Sequence, residues 1–331
     1  MILHPMQPVV PENQVDKLLE NMSKTGFQGR KLGESALVWK QMIQDADVTI
    51  LAGLSGAMVP AGMQECLIEL LEHRFIDVLV STGANIFHDI CEHCGVRHYL
   101  GHHQVDDQDL YQQGIDRIYD VFAYEEQFRS VDSQIAEFAK TLDGFSGSSA
   151  HFIRLLGIWL SEQYPSGRSI TAAAARLGIP IFIPALCDSS IGIALVMAGR
   201  EGNRIIIDQL TDADELTRYV ESAKKTGVVY VGGGVPKNFI QQTQVIASIH
   251  EHGCGGHDYA IQYTTDAPHY GGLSGCTFEE AVSWGKESCT CKKVQCFCDA
   301  TIAIPLVTSA LLASGLHRRL CSPETNEIQI S

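Results

Sequence analysis

Seven short runs of β-branched and aliphatic residues, most of them closing on Gly, Ser, Thr or Asp, limit what this chain can fold into. They are VTILAGL (48–54), IDVLVST (76–82), IPIFIPAL (179–186), RIIID (204–208), VVYVGGG (228–234), YAIQYTT (259–265) and VQCFCD (294–299). Helical apolar patterns follow them. Strands that are apolar at successive positions are covered on both faces, and an intervening helix lets neighbours run parallel. The expected fold is therefore α/β, a Rossmann-like parallel sheet with helices on both faces. Ahead of it, Val15 to Met22 and Gly33 to Ile43 have helical spacing around a TGFQG turn. We divide the chain into this helical N-terminal extension, residues 1–45, and one α/β domain, residues 46–331. Within the domain, residues 124–168 read as a mostly helical insertion.

Charge removes several classes of function. The 331 residues hold 39 acidic against 24 basic side chains, a formal charge of −15. A surface that tracks nucleic-acid phosphates needs clustered Lys and Arg, so no nucleic-acid partner is expected. An acidic surface suits cationic ligands, although it also serves solubility alone. The N-terminal MILHPMQPVVPENQ lacks the basic start and apolar core of a secretory signal. The uncharged run from Ala300 to Leu316 is interrupted by Pro305 and is shorter than the ~20 residues a membrane span needs, so it reads as a buried helix. Eleven cysteines without a signal segment suggest reduced thiols. A cytoplasmic protein with no membrane association is expected.

In open parallel sheets, ligands lie beyond the carboxyl ends of the strands. Small, hydroxylated or acidic residues stand at those ends here: Ser55-Gly56-Ala57, Ser81-Thr82-Gly83-Ala84-Asn85, Asp188-Ser189-Ser190, Gly232-Gly233-Gly234, Thr264-Thr265-Asp266 and Asp299-Ala300-Thr301. Small residues admit a ligand close to the backbone, and the helix starts behind them favour phosphate. GGGVPK (232–237) is the best candidate for a pyrophosphate or ribose contact, with Pro236 suited to a first helical turn. Tight strand-to-helix turns also use glycine for steric reasons alone.

Four segments taken together carry a resemblance: EEAVSWGK (279–286), GGGVPK upstream, TGFQG near the start and FCDATIAIPL downstream. Their order and spacing, from about Asp16 to the end, are similar to the deoxyhypusine synthase family. The resemblance implies a Rossmann-like, NAD-dependent aminobutyl transferase, usually a homotetramer with active sites between paired subunits. Such enzymes oxidise the polyamine spermidine, carry its aminobutyl group on a lysine imine and reduce the product with the same cofactor. The acceptor is a protein lysine of a translation factor or, in homospermidine-forming relatives, the small amine putrescine. Lys286 matches the imine-forming lysine. Only a neutral primary amine can add to an imine and later release the group, so such a lysine needs desolvation or a neighbouring positive charge. Trp284 would supply an apolar wall and a face for the substrate cation. Glu280 would hold an ammonium group; with Thr277 it also forms T-x-x-E, a helix-capping box. Asn238 is the further substrate-site candidate. The cofactor positions carried over are Ser55, Ser81, Thr82, Gly83, Asp188, Gly233, Gly234, Ser274 and Asp299, whose alternative duty is turn formation and capping.

Departures from the family pattern gather in the substrate pocket. Enzymes that modify the translation factor carry K-H-H after GGGV, where this chain has Lys237-Asn238-Phe239. A second acid after the strand-end aspartate is replaced by Ile193, and two aspartates before SWGK fall on Tyr270 and Leu273; Asp266 and His269 stand nearby. Each buried ammonium needs a polar partner, so these changes point to altered substrate specificity. Transfer between small amines and a non-catalytic NAD or polyamine sensor are the alternatives. A sirtuin-like deacylase would need a paired zinc ribbon, which is lacking. CEHCGVRHYLGHH (91–103) offers Cys91, Cys94 and nearby histidines, but no second cysteine pair follows at ribbon spacing. No metal is expected, and Cys91 and Cys94 are read as small core residues. His88, beside Asp89, is either a surface histidine or a neighbour of the cofactor.

Overall fold

The computed structural model describes residues 5–249, 255–272, 275–316 and 318. Leu19 and then Leu32, Ala36, Trp39 and Ile43 are buried at helical spacing on α1 (Val15–Met22) and α2 (Phe27–Gln44). The helices touch at Gly33, where an added Cβ would lie 2.3 Å from the Leu19 carbonyl oxygen and 2.4 Å from the Ser23 nitrogen. Helix α2 starts at Phe27, so the expected TGFQG turn ends at its cap, Gly26.

Next along the chain come β1 (Val48–Leu54), α3 (Gln64–Glu72), β2 (Val78–Ser81), α4 (Gly83–His93), β3 (Tyr99–Leu100), α5 (Asp107–Gln112), β4 (Ile115–Ile118) and β5 (Val121–Tyr124). They are followed by α6 (Glu125–Lys140), β6 (Ser146–Gly147), α7 (Ser149–Gln163), α8 (Ile170–Leu177), β7 (Ile181–Phe182), α9 (Ser190–Arg200) and β8 (Ile206–Ile207). The last part holds α10 (Gln209–Ser222), β9 (Lys225–Val231), α11 (Gly234–Ile249), β10 (His257–Thr264), α12 (Phe278–Ser283), β11 (Glu287–Phe297) and α13 (Ala300–Ala313).

Six strands form one wholly parallel sheet in the order β11-β10-β9-β1-β2-β7. Read from β7 inward, this is the doubly wound order 3-2-1-4-5-6. The chain builds outward from β1 on one side, returns beside it as β9, and builds outward on the other side. Strand alternation explains why both faces are apolar. Leu51, Val78, Val80, Val228, Tyr230 and Ala260 point into one layer, which Leu216, Val220 and Ile240 of α10 and α11 complete. Ile50, Ala52, Leu79, Val229, Ile261 and Tyr263 point into the other, larger core, shared with Trp39 of α2 and Ile304 of α13.

Two local expectations change. The RIIID run does not join the main sheet: only Ile206 and Ile207 are extended, and they pair with Ser146 and Gly147. Asp208, which closes the run, accepts from the Leu210 and Thr211 amides and so commits the chain to α10. Residues 99–124 contain a small antiparallel sheet, β3-β5-β4, whose strands are only two to four residues long. The 300–316 run is largely α13, buried through Ala303, Ile304, Val307 and Leu311. Among the described residues no helix is long and apolar enough to cross a membrane.

Candidate active site

Strands β1 and β9 run in register from Val48 opposite Lys225 to Leu54 opposite Val231, so their exit loops emerge side by side at the sheet's switch point. Gly232 accepts the resulting crowding. It has φ +80°, and a Cβ there would come within 3.0 Å of the Ser55 Cβ. The opening beyond these loops is a cavity of about 830 Å³, within the usual range for small-molecule and cofactor sites. Eight of the nine sequence-derived cofactor positions line it: Ser55, Ser81, Thr82, Gly83, Asp188, Gly233, Gly234 and Asp299. The ninth, Ser274, lies outside the described residues, as does Leu273.

Several of these side chains also hold the cavity wall together. Ser55 Oγ donates to the Gly233 carbonyl. Thr82 caps α4 by accepting from the Asn85 amide, and its hydroxyl donates to the Gly56 carbonyl at 3.0 Å. Asp299 caps α13, one carboxylate oxygen accepting from Thr301 N at 2.8 Å and Thr301 Oγ1 at 2.6 Å. Asp188 is exposed at the rim and has no hydrogen bond from its carboxylate among the described residues. A wall of small residues with three carboxylates, Asp188, Asp266 and Asp299, fits a dinucleotide, the acids suiting ribose hydroxyls and the bare backbone suiting a diphosphate. Asn85 was named in the sequence only as one of the strand-end residues, without a role of its own. Fully buried, it accepts from Met58 N at 2.7 Å and donates to the Gly56 carbonyl at 2.9 Å, fixing the loop after β1 to α4.

The lysine cluster is separate from the cavity lining but lies on the same helix face. Gly234 and Val235 of α11 line the cavity, and Asn238 is one turn further along that face. The Asn238 Oδ1 accepts from Lys286 Nζ at 3.0 Å. Lys286, between α12 and β11, is only 8% exposed, and its ammonium lies 5.7 Å from the Trp284 ring centroid. Trp284 itself is 64% exposed, a flat aromatic wall open to an incoming group. Thr277 caps α12 by accepting from the Glu280 amide at 3.1 Å. The reciprocal half of a capping box is missing, since the Glu280 carboxylate forms no hydrogen bond among the described residues. It is exposed beside this cluster.

Beneath Lys286 is a buried polar layer that the sequence reading did not assign. Lys237 is 1% exposed, with its ammonium donating to Gln262 Oε1 at 2.9 Å and to the Cys276 carbonyl. The Phe278 and Tyr230 rings are 5.3 and 5.7 Å from it. Burial pulls the Lys237 pKa down, and the neighbouring Lys286 charge adds to the effect. Glu287 is 2% exposed; its carboxyl accepts from Gln241 Nε2 at 3.2 Å and faces Cys291 Sγ at 3.8 Å. Burial pushes this carboxyl up to about 8, against a smaller opposing pull from Lys237.

The departures fall where apolar groups meet solvent. Ile193 on α9 is 53% exposed and Tyr270 is 80% exposed. Asp266 lines the cavity, whereas His269 lies against Tyr270, their rings tilted with centroids 4.1 Å apart. His88 does not line the cavity. It lies on α4 with Nδ1 3.0 Å from His98 Nε2, and His98 Nδ1 is 2.7 Å from the Glu92 carboxylate. Burial lowers the His88 pKa to about 4. Cys91 is fully buried in the larger core, and burial raises the Cys94 thiol to about 11. Among the described residues no group of three or more His, Cys, Asp or Glu is placed to hold a metal.

The strand order and the cavity at the crossover define the class first: a doubly wound α/β protein of Rossmann type. Its overall shape matches a crystal structure of a candidate deoxyhypusine synthase from Entamoeba histolytica, with TM-score 0.63 and 18% identity over 92% of this chain and 94% of that one. The family model for deoxyhypusine synthase matches residues 17–311. The "probable deoxyhypusine synthase 2" of Methanosarcina acetivorans is 55% identical over 93% of this chain and 90% of its own length. That of Archaeoglobus fulgidus is 53% identical over 90% and 97%, while the same organism's "probable deoxyhypusine synthase 1" is 39% identical over 93% and 98%. The chain belongs to the deoxyhypusine synthase family and is a transferase.

Proposed function

We propose that this transferase moves an aminobutyl group from spermidine or a related polyamine, with NAD as cofactor and an imine on Lys286 as the carrier. The observation that supports it most is the setting of Lys286. A nearly buried primary amine, held by Asn238 and faced by Trp284, stands one helical turn from a cavity whose wall fits a dinucleotide. NAD, when bound, would accept hydride from the amine substrate and return it to the final product. Lys286, as a neutral amine, would add to the carbon of the oxidised substrate and expel the leaving amine, forming a C=N bond to Nζ. The acceptor amine would then displace Nζ and regenerate the lysine. Asn238 Oδ1 would orient Nζ, Trp284 would cover the alkyl chain and face its cation, and Glu280 would pair with a free ammonium group. Lys237, when protonated, would place a positive charge beside the nucleophile. Asp188 and Asp299 would hold ribose hydroxyls, with Ser55, Ser81, Thr82, Gly83, Gly233, Gly234 and Ser274 around the rest of the cofactor.

We assign the acceptor as either a protein lysine or a small amine, with homospermidine-type transfer the second reading. That reading is favoured by Ile193 and Tyr270, which stand where the resemblance expects acids, and by Asn238, which stands in place of a histidine. A homotetramer in the cytoplasm is part of the proposal. The test is borohydride trapping with NAD and a panel of amines, read by intact mass and peptide mapping, beside Lys286→Ala. An aminobutyl adduct on Lys286, lost in the variant, is expected. Measurable NAD binding with no adduct from any amine would replace this mechanism with a non-catalytic NAD or polyamine binder.

A further inference from the structure

One pair of thiols is used by neither the cavity nor the lysine cluster. Cys296 and Cys298 flank Phe297 at the end of β11, so their side chains leave on the same face. Their sulfurs are 3.4 Å apart. Two strand residues separated by one other lie ~6.6 Å apart at Cα, inside the 4.4–6.8 Å that a disulfide spans. Of the nine cysteines in the described residues, these two alone have sulfurs in contact. The neighbouring C-x-C, Cys289 and Cys291, does not share this geometry: Cys289 is exposed and the Cys291 thiol faces Glu287.

The two thiols are also differentiated. Cys296 is fully buried, and its sulfur approaches the Gln28 carbonyl of α2 at 3.9 Å. Cys298 is half-buried and open to a small reagent. The Cys296 thiol, acting as hydrogen-bond donor, lowers the Cys298 pKa and has its own raised. Cys298, the less buried of the two, is the sulfur that a reagent meets first, and Cys296 is the resolving thiol.

We propose that Cys296 and Cys298 form a peroxide-reactive dithiol that closes to a disulfide beside the nucleotide cavity. The Cys298 thiolate attacks the outer oxygen of a hydroperoxide, breaking the O–O bond and releasing water or an alcohol while sulfur becomes a sulfenic acid. The Cys296 sulfur then attacks Cys298, a second water leaves, and the S–S bond forms. Two thiols and one hydroperoxide give one disulfide, one water and one water or alcohol. The bond draws the sulfurs from 3.4 Å to ~2.05 Å. That movement reaches the next residue, Asp299, which both caps α13 and lines the cavity. This consequence for nucleotide binding rests on the proposed function; the dithiol chemistry does not.

The experiment treats the full chain with a stoichiometric amount of hydrogen peroxide, blocks free thiols with N-ethylmaleimide and maps the peptides by mass. The peptide containing residues 296–298 is expected to lose two hydrogens, resist alkylation and recover after dithiothreitol. Cys298→Ser should abolish this change, and the Cys289→Ser, Cys291→Ser double variant should keep it. Alkylation of both Cys296 and Cys298 after peroxide would overturn the proposal, as would their oxidation to sulfinic acid without a bridge. Disruption of the α13 cap is expected to weaken NAD about tenfold in the oxidised chain, with Cys298→Ser unaffected. Equal NAD affinity in the two forms would refute the link to the cavity. Failure of even the reduced chain to bind NAD would refute the cofactor assignment, with the mass change still deciding the dithiol.

Discussion

Replacing Glu287 with Gln should remove a large part of the protein's pH sensitivity. In the folded chain the carboxyl is 2% exposed, and burial pushes it up to about 8 from its ordinary 4.5. The folded state therefore binds this proton more tightly than the unfolded state does. Between pH 4.5 and 8 the folded chain keeps a proton that the unfolded chain has lost, so stability falls as pH rises. The contribution is fully present below 4.5 and is lost as pH passes through 8. Over the two units from pH 6 to pH 8, at about 1.36 kcal/mol each and with the slope halved at pH 8, the loss is about 2.3 kcal/mol. The amide of Gln keeps the shape and an oxygen to accept from Gln241, yet cannot ionise. Chemical denaturation of wild type and Glu287→Gln at pH 6 and pH 8 measures the difference. The gap between the variant and wild type opens above pH 4.5 and should widen by about 2 kcal/mol from pH 6 to pH 8, the ionisation of the folded chain being only half complete at pH 8. Comparing the two chains cancels the other groups that titrate in the same window. Identical pH slopes would mean that Glu287 is not a buried acid, and the account of the layer beneath Lys286 would fail with it.

Asn238→His should change spermidine turnover several-fold, since it replaces the acceptor of the 3.0 Å bond from Lys286 with a ring that can donate or accept. Unchanged turnover would show that this departure does not set specificity. In a histidine NMR titration, His88 and His257 should both remain neutral at pH 5.5, because burial lowers them to about 4 and about 3. A midpoint above 6 for His88 would contradict its enclosure between His98 and Phe128.

The doubly wound sheet was legible because its strands are buried on both faces, which leaves long uninterrupted apolar runs such as VTILAGL. RIIID gave the same signal over too short a distance: Arg204 and Asp208 leave three isoleucines, and Ile206 remains 44% exposed. The antiparallel strands at 99–124 were missed because IDRI and VFAY are partly exposed and carry polar residues or end against helices. The cavity wall was readable from small residues at strand ends, a pattern that follows from topology alone. The Lys237 and Glu287 layer was not, since Lys and Glu are ordinarily exposed and nothing in their spacing announces burial. Asn85 was hidden for a related reason. An amide that ties two loops together is recognisable only when those loops are seen to meet.

Helix α2 has a role in the sheet beyond filling the core. Strand β11, the outermost and, at 11 residues, the longest of the main sheet, leaves one edge without a neighbouring strand. Along it, Gln28 accepts from the Phe297 amide at 2.7 Å and Gln41 accepts from the Lys292 ammonium at 3.0 Å. The opposite edge, β7, is only two residues long. Open edges of this kind recruit foreign strands unless they are short, charged or covered. Helix α2 thus acts as a guard on the molecule's sociability: without it, Lys286 would sit at the start of a bare ribbon that invites the wrong company.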